Sequence, residues 1–429
     1  MPMEHKVLVF PAGTEIAFEI HNALRNSKFV RLYGATSVPC HADFVFENCV
    51  DGLPFVDDPN LIDELNKVID QWGIEYIYPA HDSALLRLTA DQLKLHATVV
   101  TSALNTVAIC RSKNNTYCFL DGAKYLPKYW LNANDVTEFP VFVKPDIGQG
   151  SEGAMLVKNR DKLWEILESN KKDYAICEYL PGDEYTVDCF TDLHGKLRYV
   201  GQRTRERIRS GIAVRSRFVV TDPWVQAIAE NLNSHFIFNG AWFFQVKEDK
   251  SGVLKLMEVA PRIAGTMGLS RNLGVNLPLL TLFNMWGVEV EIMANDNSLL
   301  LDRAFISRYQ TDLDYDNVFV DLDDTLIVRG KTNPYLIAFL YQAKEKGKKI
   351  ILLTKHGDSA IKTLQDHSID IYLFDSIVGI PVWDKKCLYV RERSIFIDDS
   401  FLERKSVHQM CGIPVFDVDG VESLFDWSG

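Results

Sequence analysis

Short apolar runs alternate with helical patterns over the first hundred residues. The run KVLVF is followed by the loop PAGTE and by IAFEIHNALRNS, where apolar residues recur at the spacing of a helix. Further apolar runs follow, with stretches such as LIDELNKVIDQWG between some of them: RLYGAT, FVFENC, IEYIYPA and ATVVTS. Strands that alternate with helices form a parallel sheet covered on both faces. We therefore expect an α/β domain at residues 1–110.

The pattern changes at residue 141, where apolar runs are separated by glycine-containing turns. These runs are FPVFVK, AMLVK, YAICEYL, YTVDCF and GAWFFQVKED. The stretch KEDKSG, between WFFQV and VLKLMEV, is typical of a hairpin connection. We expect an α+β domain with an antiparallel sheet, at residues 111–312.

Alternation of strands and helices returns after the polar, acidic stretch QTDLDYDN, which is the best boundary between domains. The runs that follow are VFVDLDD, NPYLIAFLYQAKEKG, KIILLT, SAIKTLQDH, SIFIDD and IPVFDV. They predict a third domain, at residues 313–429, built on a doubly wound parallel sheet.

Composition excludes some classes of partner. The net charge of −12 and the pI near 5.4 argue against a nucleic-acid footprint, which usually shows as a basic face. The eight cysteines are scattered without metal-type spacing, which is typical of reduced thiols. The first residues show no signal-sequence pattern, and the most apolar later stretch falls short of the roughly 20 residues of a membrane helix. We expect a cytoplasmic protein without a membrane partner.

A glycine-rich loop follows a strand that ends in lysine. In FPVFVKPDIGQGSEGAMLV, Lys144 precedes Gly148, Gly150 and Gly153. Glycines let backbone N–H groups approach a phosphate, and a lysine supplies a point charge. The stretch indicates a polyphosphate site, with an ordinary glycine-rich hairpin as the alternative.

Oxygen ligands recur on nearby strands. Glu178 and Glu184 flank the turn of ICEYLPGDEYTVD, and Gln245 and Glu258 fall on the two strands of one predicted hairpin. A carboxylate facing an amide oxygen suits Mg²⁺, which bridges a few protein ligands and the phosphates. Each residue taken singly could instead be a solvated strand residue.

These motifs, in this order, resemble the ATP-grasp superfamily, and within it the large subunit of carbamoyl-phosphate synthase and related carboxylate–amine ligases. The resemblance covers residues 5–310 and implies a Rossmann-like pre-ATP-grasp domain before a two-lobed ATP-grasp fold. It also implies ATP and Mg²⁺, with Mn²⁺ as an alternative ion, and often a homodimer. The implied site is Lys113, Lys144, Gly148, Gly150, Ser151 and Gly153 for phosphates, Glu178, Tyr179 and Leu180 for adenine, Glu184 for ribose, Gln245 and Glu258 for metal, and Arg262 for the reacting phosphoryl group.

Two residues depart from the family pattern. Ala260 replaces the asparagine of Glu-x-Asn-Pro-Arg, which removes a metal ligand and leaves open whether one or two Mg²⁺ ions bind. Ser112 replaces the aspartate that commonly precedes the first lysine.

An arginine-rich stretch, GQRTRERIRSGIAVRSR, stands out in an acidic protein. Alternation on a strand would aim Arg203, Arg205, Arg207 and Arg209 at one face. Guanidinium groups bind carboxylate or phosphate in a bidentate way. We predict that Arg203 and Arg205 bind an anionic substrate, with a solvated charged strand as the alternative.

Aspartates collect where strands of the third domain end. In DLDDT, Asp321 and Asp323 lie two apart, so on an extended strand end they point to the same side while Asp324 faces away. Close carboxylates repel unless a cation sits between them, which indicates Mg²⁺. Thr354, Lys385, Lys386, Asp398 and Asp399 follow later strands, and the carboxyl ends of parallel strands meet at one crevice.

DLDDT and IDDS resemble the haloacid dehalogenase superfamily of phosphotransferases, over residues 316–425. The resemblance implies Asp321 as nucleophile and Asp323 as general acid and base, both also at the metal site. Thr354 and one of Lys385 and Lys386 would bind phosphate, and Asp398, with Asp399, would complete the Mg²⁺ site. The short connection from Asp323 to Thr354 leaves room for a minimal cap only.

The leading hypothesis is a bifunctional enzyme. One half would join a carboxylate to an amine at the expense of ATP, through an acyl phosphate, and the other would hydrolyse a phosphate monoester of a substrate or product. Two alternatives stay open: an ATP-dependent small-molecule kinase fused to a phosphatase, and a nucleotide-binding sensor in which only the phosphatase is active. The expected partners are a small carboxylate and an amine or phosphorylated metabolite, whose identities the sequence leaves open.

Overall fold

The computed structural model describes residues 4–148, 150, 152–169, 173–356 and 359–427. The chain divides into two compact units, residues 1–305 and 306–429. The predicted boundary at residue 110 falls inside the first unit, and the predicted boundary at residue 312 falls inside the second. Among the described residues, no helix is both long and apolar enough to cross a membrane.

The first unit begins with a five-stranded parallel sheet. Its strands are β1 (His5–Phe10), β2 (Val30–Ala35), β3 (Cys49–Val50), β4 (Tyr76–Pro79) and β5 (Thr98–Val99), and its helices are α1 (Glu15–Leu24), α2 (Leu61–Trp72) and α3 (Asp82–Ala90). The strand order is β3-β2-β1-β4-β5, as alternating strands and helices predict.

The segment FVFENC was expected to be a strand, and that prediction is largely wrong. A 3-10 helix at His41–Phe44 precedes the two-residue strand β3. Ala42 and Phe46 are both buried, so this turn places the apolar residues of the segment in the core without an extended backbone.

Two helices lead into a four-stranded antiparallel sheet. The elements are α4 (Leu104–Arg111), α5 (Lys113–Phe119), β6 (Tyr129–Trp130), β7 (Val141–Pro145), β8 (Met155–Val157), α6 (Arg160–Ser169) and β9 (Tyr174–Glu178). The sheet order is β6-β9-β7-β8, and a small core packs behind it. Ser112 caps α5 by accepting a hydrogen bond from the backbone N–H of Asn115.

The rest of the first unit contains two further antiparallel sheets and the helices that accompany them. The elements are β10 (Glu184–Thr191), β11 (Leu197–Thr204), β12 (Arg207–Arg209), β13 (Ile212–Arg217), α7 (Pro223–His235), β14 (Gly240–Glu248), β15 (Leu254–Ala260), α8 (Gly268–Asn272), α9 (Leu277–Met285) and β16 (Leu300–Asp302). The main sheet runs β11-β10-β14-β15, and β12-β13-β16 form a smaller one. The predicted hairpin is confirmed, because β14 and β15 pair antiparallel.

The second unit contains a five-stranded parallel sheet. Its elements are β17 (Asn317–Val320), the hairpin β18 (Ile327–Val328) and β19 (Lys331–Thr332), α10 (Pro334–Glu345), β20 (Lys349–Thr354), α11 (Ala360–Asp366), β21 (Ser376–Gly379), β22 (Ser394–Ile397), α12 (Phe401–Cys411) and β23 (Val415–Phe416). The order is β21-β20-β17-β22-β23, so β17 lies at the centre. Two cores cover its faces.

Candidate functional site

Two adjoining cavities lie between the sheets of the first unit. The first has a volume of about 250 Å³ and brings together most of the predicted nucleotide-binding residues. Those that line it are Lys113, Lys144, Gly148, Gly150, Glu178, Tyr179, Leu180, Glu184, Gln245 and Glu258. Ser151 lies outside the described residues.

Gly153 does not belong to this lining. A Cβ at Gly153 would lie 3.1 Å from the ring of Pro145, and its φ is +72°. Gly150 also has a positive φ, of +61°, but it lines the cavity. Gly153 therefore occupies a turn position that only glycine adopts without strain, and its phosphate role stays a prediction.

Both predicted lysines are largely withdrawn from solvent. Lys144, at 7% exposure, donates hydrogen bonds to Tyr117 Oη (3.2 Å) and to the carbonyl of Met257 (3.0 Å). Burial lowers the pKa of Lys113; Glu258 opposes that shift. Lys113 and Lys144 therefore both line the first cavity, together with the oppositely charged Glu258.

Asp146 is a residue that the sequence reasoning missed. Its carboxylate accepts hydrogen bonds from Ser112 Oγ and from the backbone N–H of Asn114, both at 2.7 Å. Its carbonyl accepts from Lys113 Nζ at 3.1 Å. Asp146 therefore fixes the start of α5 and the direction of the Lys113 side chain. In the sequence, its position directly after β7 and two residues after Lys144 could have identified it as a candidate.

The far side of the cavity follows β9. Leu180 is buried, whereas Tyr179 is 37% exposed. Glu178 is held by its neighbour strand, since its Oε1 accepts from the backbone N–H of Lys128 at 2.8 Å. Glu184 pairs with Arg205 at 2.6 Å and lies 3.6 Å from Lys247 Nζ.

Gln245 and Glu258 lie directly opposite each other in the β14–β15 pair. A β-bulge follows Gln245, and both side chains line both cavities. Ala260, two residues further on the same strand, is 6% exposed and offers no side-chain ligand. An amide and a carboxylate oxygen on one face fit a single Mg²⁺ that takes its other ligands from phosphate oxygens and water.

The second cavity has a volume of about 280 Å³ and shares Lys113, Arg205, Gln245 and Glu258 with the first. Arg262 lines it and binds Asp82 through two hydrogen bonds, of 2.6 and 2.7 Å. Burial alone would raise the pKa of Asp82, but the guanidinium of Arg262 lowers it to about 2. Asp82, at the start of α3, was not predicted. Its carboxylate holds the charged guanidinium of Arg262 in place in the lining of the second cavity.

The arginine-rich stretch does not form one strand face. Strand β11 ends at Thr204, and Arg207 lies on β12, where it pairs with Asp302 at 2.7 Å. Arg203 and Arg205 do line the second cavity. The predicted common face is therefore corrected: β11 ends at Thr204, Arg205 lies in the break, and Arg207 and Arg209 belong to the separate strand β12.

A second cluster of charged groups lies at the carboxyl end of β17. Carboxylate oxygens of Asp321, Asp398 and Asp399 lie within 4.8 Å of one another. Lys386 Nζ contacts Asp321 and Asp398, each at 2.7 Å. Burial raises the pKa of Asp321 to about 6; Lys386 opposes the shift and Asp398 adds to it.

Two predictions for this cluster need correction, and the structure distinguishes two lysines that the sequence left as alternatives. The strand ends at Val320, so the aspartates lie on a loop rather than on alternate faces of a strand, and Asp324 has a left-handed φ of +51°. The side chain of Asp323 is not among the clustered carboxylates, because both its oxygens lie 2.9 Å from His356 Nδ1. Lys385 is exposed, whereas Lys386 is 3% exposed and fills the cluster.

Thr354 and His356 complete the described surroundings. Thr354, at 1% exposure, accepts a hydrogen bond from the backbone N–H of His356 at 3.0 Å. His356 Nε2 lies 2.9 Å from Thr363 Oγ1, so its ring is held at both nitrogens. A histidine two residues after a strand end could have been noticed in the sequence, but the sequence does not show that its ring meets Asp323.

Comparison with known proteins bears on the first unit. Residues 170–301 match a family model described as ATP-grasp in the biosynthetic pathway with Ter operon. No curated protein matches the chain.

Three solved structures are similar in fold. The biotin carboxylase domain of Hydrogenobacter thermophilus 2-oxoglutarate carboxylase, in complex with MgADP, ADP and bicarbonate, is 15% identical, with a TM-score of 0.59 over 70% of this chain and 74% of that one. N5-carboxyaminoimidazole synthetase from Staphylococcus aureus, complexed with ADP, is 13% identical, with a TM-score of 0.55 over 69% and 80%. Campylobacter jejuni biotin carboxylase, in complex with βγ-ATP, is 13% identical, with a TM-score of 0.55 over 67% and 72%.

Identities at this level establish a fold and leave the reaction open. The family model and the structural neighbours agree on that fold, and the corresponding prediction from the sequence is confirmed. The chain therefore carries a mixed α/β ATP-grasp fold.

Proposed function

We propose that the first unit is an ATP-dependent ligase that joins a carboxylate to an amine. The observation that carries this proposal is the meeting of the two cavities at Lys113, Gln245 and Glu258. One cavity has the shape and polar groups for a nucleotide, and the other has a basic lining for an anion. Structural neighbours with ADP or βγ-ATP support the nucleotide assignment.

The residues of the first cavity divide into two groups. Tyr179 and Leu180 supply an apolar and aromatic surface for adenine beside the Glu178 carboxylate, and Glu184 lies within reach of the ribose hydroxyls. Lys113 and Lys144 offer cationic donors for the phosphates.

The Gln245–Glu258 pair would hold one Mg²⁺, for which the opposed amide and carboxylate oxygens fit. The ion supplies positive charge to the phosphate oxygens. Everything else at the junction comes from the chain: Lys113 neutralises charge on the transferring group, and Arg262, fixed by Asp82, presents positive charge from the second cavity.

The acceptor carboxylate would lie in the second cavity. One of its oxygens attacks the γ-phosphorus of ATP, the bond to the β–γ bridging oxygen breaks, and ADP leaves with that electron pair. An amine then attacks the acyl carbon and expels inorganic phosphate with loss of a proton, which forms the amide.

Hydroxamate formation tests the ligase. Protein carrying Asp321→Asn is incubated with ATP, Mg²⁺, hydroxylamine and a panel of carboxylic acids, and Glu258→Gln in the same background is the blank. We expect ADP and hydroxamate in equal amounts with one class of acid and neither in the blank. ADP with a stable phosphorylated product and no hydroxamate would instead show a kinase, and tight ATP binding without turnover would show a sensor.

A second activity is favoured by the Asp321, Asp398, Asp399 and Lys386 cluster in residues 306–429. We propose phosphomonoester hydrolysis there. Three carboxylates within 4.8 Å with one lysine among them fit a divalent cation and a phosphate dianion. Mg²⁺ would supply charge neutralisation at this position.

The chain's own groups would act in sequence. A carboxylate oxygen of Asp321 attacks phosphorus, and the alkoxide leaves with a proton from Asp323. Water, deprotonated by Asp323, then attacks the aspartyl phosphate and releases inorganic phosphate. Lys386 and Thr354 would bind phosphate oxygens, and His356 would orient the Asp323 carboxylate.

Hydrolysis of p-nitrophenyl phosphate with Mg²⁺ tests the second activity. We expect turnover by the full chain, none by Asp321→Asn, and none after chelation of the metal with EDTA. Turnover that persists in Asp321→Asn would contradict the proposal.

A further inference from the structure

Two arginines in the second cavity of the first unit have guanidinium nitrogens that no group of the described chain satisfies. Arg203, on β11, is fully buried and lines the cavity. Its Nε and Nη2 donate to Asp188 at 3.0 and 2.9 Å, but its Nη1 is buried without a hydrogen-bond partner in the described part of the chain. Buried donors are nearly always paired, so this nitrogen indicates a group that is supplied from outside.

Arg303 repeats this situation from the opposite side. It follows β16, and its backbone N–H is fixed by the carbonyl of Val214 at 2.7 Å. Its side chain is half-buried and lines the same cavity, and its Nη1 also has no hydrogen-bond partner among the described residues. The sequence reasoning did not include Arg303, which lies outside the arginine-rich stretch.

The carboxylates around this pair are Asp188, Glu15 and Glu19. Burial lowers the pKa of Arg303; Glu15 and Glu19 oppose that shift, and the charge of Arg203 adds to it. Glu19 is engaged by Arg271 at 2.8 Å, and Asp188 already binds Arg203 and Ser270. Two cations that repel, each with a free N–H donor, are stabilised by an anion between them.

Position separates this pair from the reaction centre. Neither Arg203 nor Arg303 lines the first cavity, whereas Lys113, Arg205 and Glu258 line both. A carboxylate that reacts with the γ-phosphate must lie at the shared residues. A group held by Arg203 and Arg303 would therefore be a second group of the same molecule, in the part of the second cavity that the first cavity does not share.

We propose that Arg203 and Arg303 form an anion subsite, and that the acceptor substrate is a dianion: a dicarboxylate, or a carboxylate that also bears a phosphate. The subsite rests on the proposed ligase function for the role of the reacting carboxylate, but its binding chemistry is independent of turnover. Guanidinium groups suit both kinds of anion because their planar N–H pairs match two oxygens.

Matched pairs of ligands test the subsite. Binding is measured by calorimetry on full-length Asp321→Asn protein with a non-hydrolysable ATP analogue and Mg²⁺, for propanoate against malonate, butanoate against succinate, pentanoate against glutarate, and glycerate against 3-phosphoglycerate. We expect at least one dianion to bind at least about tenfold more tightly than its monoanionic partner.

Arg303→Gln is the test variant, because substitution of Arg203 would leave Asp188 as a buried unpaired charge and could unfold the protein. We expect the variant to weaken the preferred dianion about tenfold or more and its monoanionic partner less than about twofold. Arg303→Lys should recover part of the loss, since it keeps the charge without the planar pair of donors. Arg217→Gln is the matched control, because Arg217 lies on β13 outside both cavities and pairs with the partly exposed Glu206.

The outcomes separate the subsite from the ligase. Equal binding within every ligand pair, or an equal loss for both members in Arg303→Gln, would overturn the subsite. Selective dianion binding that is lost in Arg303→Gln, together with no hydroxamate from any acid, would leave the subsite and remove the ligase. Hydroxamate formed from monoanions with the same kcat/KM as from dianions would leave the ligase and remove the subsite.

Discussion

Lys385 and Lys386 are adjacent in the chain but lie in opposite environments. Lys386 is 3% exposed between two carboxylates, whereas Lys385 faces solvent. The sequence motif is compatible with either lysine. Which of them faces the carboxylates depends on the 3-10 turn at Lys386–Leu388, which directs the Lys386 side chain inward.

We expect Lys386→Gln to lower kcat/KM for p-nitrophenyl phosphate by about 100-fold or more, since it removes the cation beside Asp321 and the incoming phosphate. Lys385→Gln is the control and should change kcat/KM by less than about twofold. Circular dichroism of both variants establishes that the fold is kept. A larger loss in Lys385→Gln than in Lys386→Gln would contradict the assignment.

His21 makes stability depend on pH. Its ring is buried on α1, and Nδ1 has no hydrogen-bond partner in the described part of the chain. Burial lowers the pKa of His21 from 6.5 to about 4, with Arg25 adding to the shift. Between these values the unfolded chain binds a proton that the folded chain does not, so acidification through this window favours unfolding.

At pH 5 the contribution of His21 to the free energy of unfolding should be lower than at pH 7.5 by about 2 kcal/mol. Urea unfolding of the native chain and of His21→Gln at both pH values measures this, because the other titrating groups cancel in the difference. Equal pH dependence in the two proteins would count against it.

Residue pairs are the part of the site that the sequence could not supply. The sequence was sufficient to select Lys113, Lys144, Gln245 and Glu258 as candidates, and the structure brings them to one cavity. The contacts of Asp82 with Arg262 span 180 residues, and no local pattern encodes such a contact.

At the scale of elements, the β14–β15 hairpin carries the Gln245–Glu258 pair that is proposed to hold Mg²⁺. Gly240 begins β14 with a φ of +80°, and a Cβ there would lie 2.3 Å from Cγ2 of Thr281 on α9. The start of the strand and the helix are therefore in direct contact through a position that has no room for a side chain.

We expect Gly240→Ala to lower the free energy of unfolding by about 2–4 kcal/mol, from backbone strain and from the clash with Thr281. Gly252→Ala is the matched control: its φ is +81°, but nothing lies within 4 Å of its Cβ, so its cost should be about 1 kcal/mol. Chemical denaturation followed by tryptophan fluorescence measures both. Equal losses would show that the contact with Thr281 has no energetic weight.

Most of the predicted strands are present in the structure, including the short runs that became β2, β4 and β5, whereas two expected extended segments are not. The long runs that became β10, β14 and β15 fit antiparallel strands, and the hairpin turn was correct. The segment FVFENC and the aspartate loop after β17 were expected to be extended, because apolar runs look alike whether they continue as strands or fold into turns.

The whole molecule consists of two units with separate hydrophobic cores. The clusters of the first unit contain residues between 7 and 292, and those of the second contain residues between 315 and 425. The first unit ends at Phe305, a few residues before the polar stretch QTDLDYDN that was expected to be the boundary.

Separate cores predict that the two proposed activities can be silenced one at a time. We expect Asp321→Asn to abolish phosphatase activity and to leave carboxylate-dependent ADP formation within about twofold, and Glu258→Gln to do the reverse. Both assays on both variants make the test. Loss of both activities from either single substitution would mean that the two chemistries are coupled.

The ion pair between Asp82 and Arg262 has a consequence for how this protein can change over evolution. Asp82 begins α3, which belongs to the opening parallel domain, and Arg262 follows β15 of the antiparallel sheet. Residues from both parts of the first unit therefore line the second cavity. If recombination replaced the first hundred residues with a similar domain that lacks Asp82, the guanidinium of Arg262 would lose its ion-pair partner in the cavity. The opening segment and the antiparallel sheets of the first unit should therefore be inherited as a single block.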